Sequence, residues 1–142
     1  MNKAQFIKLI TLSFSNKLLL IEGSFYTIWA LFMIHVFSFK KYLNWIKNPK
    51  TNLPSEAKIK AVNQTIYRIR KYAFWTTTCY TQAIAARLIF KRMKIKSRIY
   101  LGMSKNSDGE LSAHAWTKVG DKIITGGNVN LDNYKVLYIF ED

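Results

Sequence analysis

A single cysteine, Cys79, stands in 142 residues, so no internal disulfide can staple this fold. A Cys–His zinc site lacks enough thiolates as well, and neither a metal nor a cofactor is expected. A reducing cytosol is the simplest compartment for such a chain. Histidine is nearly as scarce, with only His35 and His114. Proline is confined to Pro49 and Pro54, which gathers the strongest helix breakers into one short stretch. Acidic residues are few, eight against 22 Lys and Arg, for a net charge of +14. Residues 1–72 hold twelve Lys/Arg against two acids, and residues 73–142 ten against six. Such asymmetry suits nucleic acid, an anionic membrane surface or an acidic partner, and a generally basic proteome gives the same composition. The basic residues are dispersed and no recognised nucleic-acid motif appears, so nucleic acid is not an expected partner.

Long hydrophobic runs are missing too. The first apolar stretch, Leu18 to Ile21, meets Glu22-Gly23 with no cleavage site, which argues against a secretory signal peptide. Ser24 to Phe39 lacks charge but has sixteen positions, bounded by Glu22 and Lys40-Lys41. A membrane span needs roughly 20. The segment 24–39 is therefore expected to be a buried core helix, with peripheral membrane contact as the alternative. The matching location is cytoplasmic, or membrane-associated in that alternative. With 49% hydrophobic and 15% aromatic residues the chain can bury a core, which excludes disorder. Its length suits one domain over 1–142, with a helical part at 1–72 and an α/β part at 73–142.

The periodicity divides the same way. Lys17 to Asn48 predicts one or two apolar helices, with Gly23-Ser24 as a break and an amphipathic continuation from Phe39. A second helix is predicted from Ser55 to Lys71, where Ile59, Val62, Ile66 and Ile69 share one stripe. Thr76, Thr77 and Thr78 offer N-cap hydroxyls just before a third helix that begins at Cys79. Ala83, Ala86 and Phe90 lie on its cysteine side, and Arg87, Lys91 and Arg92 place positive charge in its later turns. After Lys96 the period falls to two. Arg98 to Met103 and Leu111 to Val119 alternate, Gly120-Asp121 signals a tight hairpin into Lys122–Thr125, and Lys135 to Phe140 supplies a last strand. The fold class is α+β, a helical first half followed by an antiparallel sheet.

The chemistry centres on two scarce residues. At a helix start, Cys79 meets the positive end of the dipole, which favours the thiolate, and its N–H groups can hold an oxyanion. His114, on a strand expected to face that helix, can take the thiol proton and return it to a leaving amine. Trp116 lies on the histidine's own strand face and is expected to wall the cleft. By default a lone cysteine in a helix is a small buried hydrophobe and a lone strand histidine is structural. His35 reads as a core or interfacial residue.

The run from Cys79 to Ser104, followed by Leu111 to Lys122 with Ala113-His114-Ala115-Trp116 at its centre, resembles the transglutaminase-like leader peptidases of lasso peptide biosynthesis. The resemblance covers roughly residues 55–142. It implies a transglutaminase- or papain-like core with the nucleophile helix packed on the sheet, Cys79 as nucleophile and His114 as base. The family's third catalytic member is an aspartate on or just after the strand that follows the histidine. A two-residue turn at Gly120-Asp121 would set His114 opposite Gly127, so an orienting group is sought between Thr125 and Asn128. Asn128 is the nearest candidate and Asp132 the alternative. The resemblance further implies a stand-alone peptidase lacking the leader-recognition module. Its partners would be a precursor leader peptide, a separate leader-recognition protein and an ATP-dependent lasso cyclase. The expected reaction is leader cleavage through a thioester acyl-enzyme, after a leader whose penultimate residue is usually threonine. Two other functions stay open: transglutaminase-type acyl transfer to an amine, and a non-enzymatic basic protein that binds nucleic acid or a membrane surface.

Overall fold

In the computed structural model, which describes residues 10–37 and 55–141, Ser13 caps the first helix by accepting from the Asn16 N–H. This helix, α1, runs unbroken over Phe14–Val36. The break expected at Gly23-Ser24 does not occur. A Cβ at Gly23 would come within 2.7 Å of Ile69 Cδ1 and 3.0 Å of Thr65 Cγ2, so the glycine serves close helix packing instead. The buried-core expectation holds for one side of α1 only: Leu19, Gly23, Thr27, Ala30 and Met33 are buried, and the opposite stripe is exposed. His35 is exposed, with Nδ1 2.7 Å from the Leu31 carbonyl. The continuation expected from Phe39 and the breakers at Pro49 and Pro54 lie outside the described residues.

The second helix, α2, spans Glu56–Tyr72 and buries the predicted stripe of Ile59, Val62, Ile66 and Ile69. The third, α3, spans Cys79–Arg92. These three helices pack on one another. A two-pronged ion pair of Arg92 with Glu22 fastens the end of α3 to α1, one contact being 2.6 Å. Burial first, and then the Glu22 carboxylate, push the neighbouring Tyr26 hydroxyl above its ordinary pKa, with Arg92 opposing.

Four strands follow: β1 Arg98–Lys105, β2 Leu111–Val119, β3 Lys122–Thr125 and, after a 3-10 turn at Leu131–Asn133, β4 Lys135–Phe140. All neighbouring pairs are antiparallel, in the order β3-β2-β1-β4. Two bulges interrupt the ladders. In β3, Thr117 pairs with Thr125 and Lys118 with Ile123, which leaves Ile124 as the extra residue. In β4, Leu101 pairs with Tyr138 and Gly102 with Val136, which leaves Leu137 as the extra residue. The sheet turns one face to α3. Thr117 Oγ1 donates to the Ala83 carbonyl at 3.2 Å, and Ala115 packs with Ala83 and Ile84.

Arg87 does more than place charge in the later turns of its helix. It is 1% exposed, and its guanidinium donates to the carbonyls of Ser97 at 2.6 Å, Phe140 at 3.0 Å and Glu141 at 3.4 Å. One planar fork thereby joins α3 to the start of β1 and the end of β4. Hydrogen bonds from a charged donor contribute about 1.5–3 kcal/mol each, and carbonyls left buried without a donor add a penalty. Arg87→Ala should therefore lower the unfolding free energy by about 3 kcal/mol or more. Arg87→Lys should recover only part, because an ammonium cannot reproduce the fork. Denaturant titration of both variants checks this, and equal stability of Lys and Arg at this position would contradict it.

Candidate functional site

The start of α3 is held by a reciprocal capping box. The Thr81 N–H donates to Thr78 Oγ1 at 3.2 Å, and the Thr78 N–H donates to Thr81 Oγ1 at 2.9 Å. Of the three threonines offered by the sequence, Thr78 is the cap. Gln82 reinforces the turn from its side chain, donating to the Thr77 carbonyl at 3.3 Å. Cys79 is thus the first residue inside the helix, half-buried, at the positive end of the dipole.

Cys79 borders a cavity of about 340 Å3. Tyr80, Leu101, Met103, Ala113 and Leu137 line it, and the strand segments at Gly102 and His114 close it. Its walls are almost entirely apolar. The bulge in β4 brings Leu137 to this lining, as bulges beside functional sites often re-aim a side chain.

His114 and Cys79 therefore border one cavity, but their side chains are not hydrogen-bonded to each other. The strand β2 faces α3 as expected, but its alternation turns His114 to the other side. Ala115 and Thr117 take the α3 side, and His114 shares the other face with Trp116. There the imidazole sits in an aromatic frame. Its centroid is 6.1 Å from Trp116 in a near-parallel stack and 5.3 Å from Tyr134, and Trp116 in turn stacks on Tyr100 at 5.6 Å. Trp116, expected to wall the cleft, is buried and is absent from the cavity lining. It supports the ring instead. Gly102 makes room for it, since a Cβ there would meet the indole at 2.9 Å.

His114 Nε2 lies 2.8 Å from the Gly126 carbonyl oxygen. A carbonyl can only accept, so Nε2 carries a proton and donates it, which leaves Nδ1 as the ring nitrogen not engaged by that bond. Neither Asn128 nor Asp132 bonds the imidazole. The bulge at Ile124 displaces the register assumed for a simple hairpin, and the backbone of Gly126 arrives where a side chain was sought. Asn128 is exposed and lines a separate cavity of about 370 Å3 with Asn63, Arg70, Gln82 and Thr125. Asp132 is exposed in the 3-10 turn, where its N–H donates to Asn130 Oδ1 at 3.2 Å. Sequence reasoning missed Gly126, Tyr134 and Leu137. The paired glycines after β3 were the one available signal.

Gly126 has φ of +75°, and a Cβ on it would lie 2.5 Å from the Ala115 carbonyl and 3.0 Å from His114 Nε2. Gly120, at φ +58°, has nothing within 4 Å of its Cβ position. Gly120→Ala should therefore cost only the backbone conformation, about 1 kcal/mol. Gly126→Ala should cost about 2–3 kcal/mol and shift the His114 ring resonances in NMR, because backbone and imidazole must both move. Equal stability losses with an unmoved His114 signal would contradict this.

Residues 27–139 match the transglutaminase-like superfamily, a span that reaches from within α1 into β4. No curated protein and no solved structure matches the chain. The match takes in most of the chain, including the capped cysteine helix, the histidine strand and most of the sheet to which that strand belongs. The chain belongs to the transglutaminase-like superfamily.

Proposed function

We propose that this protein is a cysteine peptidase that removes the leader from a ribosomally made lasso peptide precursor, with Cys79 as its nucleophile. The observation that carries the proposal is the position of Cys79, first residue of a capped helix and border of an apolar cavity shared with His114. Superfamily membership supports cysteine-based acyl chemistry. The resemblance of the Cys79 helix and the Ala113–Trp116 strand to lasso leader peptidases supports the finer reading.

The thiolate attacks the carbonyl carbon of the scissile bond. The resulting oxyanion is held by N–H groups at the helix start. Collapse expels the amine and leaves a thioester on Cys79, and water releases the leader as a carboxylate. His114 takes the thiol proton, returns it to the departing amine and then activates the water. With Nε2 committed to Gly126, the group that accepts these protons is Nδ1. The imidazole lies on the strand face turned away from α3, so this role requires the ring or its strand end to move toward the thiol when peptide binds. The orienting role passes from Asn128, and from the alternative Asp132, to the Gly126 carbonyl. The apolar cavity suits an uncharged side chain beside the scissile bond. A separate leader-binding protein presents the precursor, and an ATP-dependent cyclase takes the product. Acyl transfer to an amine is the second reading, sharing the thioester and differing in the group that resolves it.

Purified chain, leader-binding partner and precursor, followed by mass spectrometry, test the proposal. A leader ending in a free carboxylate supports hydrolysis, whereas a new amide assigns the transfer reaction. Cys79→Ala should abolish product formation while keeping the fold. Intact cleavage by that variant would remove Cys79 from the chemistry.

His114→Ala should lose activity about as completely, since nucleophile and base act as a unit. Retained cleavage by the folded variant would remove His114 from the chemistry. Asn128→Ala and Asp132→Ala should each leave most of the activity, because the group holding the imidazole is main chain. A large loss at either would return the orienting role to that side chain.

A further inference from the structure

Among the described residues, one face of α1 has no cover. Phe14, Leu18, Ile21, Phe25, Ile28 and Phe32 recur every three or four residues along it, each between 49% and 76% exposed. At 1.5 Å per residue the stripe is about 27 Å long. Single exposed hydrophobes are ordinary, but a continuous stripe of large ones marks an interaction surface. The opposite face of the same helix is fixed in the protein, with Gly23 against Ile69 and Glu22 paired with Arg92. The helix is long and apolar enough to cross a membrane, with a mean hydropathy of 1.5. Crossing would draw α2 and its Lys58, Lys60, Arg68, Arg70 and Lys71 into hydrocarbon with it, at high cost. Lying in the interface, stripe down, exacts no such cost.

We infer that α1 docks this protein on an anionic lipid surface, with the phenylalanine-rich stripe in the headgroup–acyl boundary. Charge selects the occupant. Twelve Lys/Arg against two acids in residues 1–72 make this half of the chain strongly cationic. Lys17 is exposed on α1, and Lys58 lines, together with Leu18, a groove at the flank of the stripe. Apolar insertion and attraction to anionic headgroups add in such helices. The stripe offers no hydrogen-bonding side chain of its own. A protein interface of that length would ordinarily carry several hydrogen bonds, and acyl chains require none. This docking is independent of the peptidase chemistry.

The test is co-sedimentation of the full chain with phosphatidylcholine vesicles, with and without phosphatidylglycerol. Fluorescence of Trp29, stacked on Phe25 at 6.2 Å, reports insertion. The chain should pellet with the anionic vesicles, with a blue shift in tryptophan emission that Trp29→Phe reduces. The double variant Phe25→Glu/Phe32→Glu should weaken binding by about tenfold or more, because two apolar anchors are lost and two like charges are added. Circular dichroism verifies its fold, and Phe25→Gln/Phe32→Gln replaces it if the glutamates disturb folding. The inference is overturned if the parent stays in the supernatant, or if the folded variant pellets equally. It is also overturned if pure phosphatidylcholine binds as well, or if the parent is a dimer that these substitutions dissociate.

Discussion

The buried guanidinium of Arg87 is the constraint on which the relation of helix to sheet depends. A helix over a sheet can slide or rotate while keeping apolar contact, because hydrophobic burial is non-directional. Hydrogen bonds from one fixed fork to Ser97, Phe140 and Glu141 remove that freedom. The α3 helix is thereby indexed against β1 and β4, two turns along from the cysteine at its start. The Thr117 bond to the Ala83 carbonyl does the same against β2, nearer the thiol. Position is set by polar contacts inside a core whose adhesion is apolar.

Much of this arrangement was legible in the residues. The stripe of Ile59, Val62, Ile66 and Ile69, the capped start at Cys79, and the alternation from Arg98 onwards carried enough periodicity to give the elements and the fold class. What escaped follows from physics that local patterns do not contain. Gly23 reads as a helix breaker by propensity, yet close contact with Ile69 and Thr65 overrides propensity. Arg87 reads as a charge suited to a helix terminus, and only the tertiary structure reveals three carbonyls around it. Alternation fixed that His114 and Ala115 point opposite ways, but not which of them meets α3. A two-residue turn predicts simple hairpin register, whereas the extra residue at Ile124 shifts it and carries Gly126 to the imidazole. The segment from Ser24 was too short for a span and apolar enough for a core. Its two faces have different fates, which an average over sixteen positions hides.

The candidate site is split between the two sides of one strand. On the α3 side are the thiol and an apolar cavity. On the other side an imidazole is held by Trp116, Tyr134 and a main-chain oxygen. Side-chain orienters can be replaced by substitution. A carbonyl cannot, but its direction depends on the backbone that carries it, and here that backbone passes through the left-handed region. The identity of residue 126 therefore governs a group that residue 126 does not itself possess.

The bulge at Leu137 has a consequence beyond the cavity it lines. β4 is an outer strand with Val136, Leu137, Tyr138 and Ile139 all substantially exposed, the composition of a template for pairing with other chains. An extra residue in mid-strand breaks the even spacing of outward N–H and C=O groups and adds local twist. A neighbour seeking to continue the ladder finds at most three regular positions on either side before the repeat fails. The irregularity that brings a leucine to the cavity beside Cys79 thus also interrupts the regular edge that strand-to-strand stacking needs.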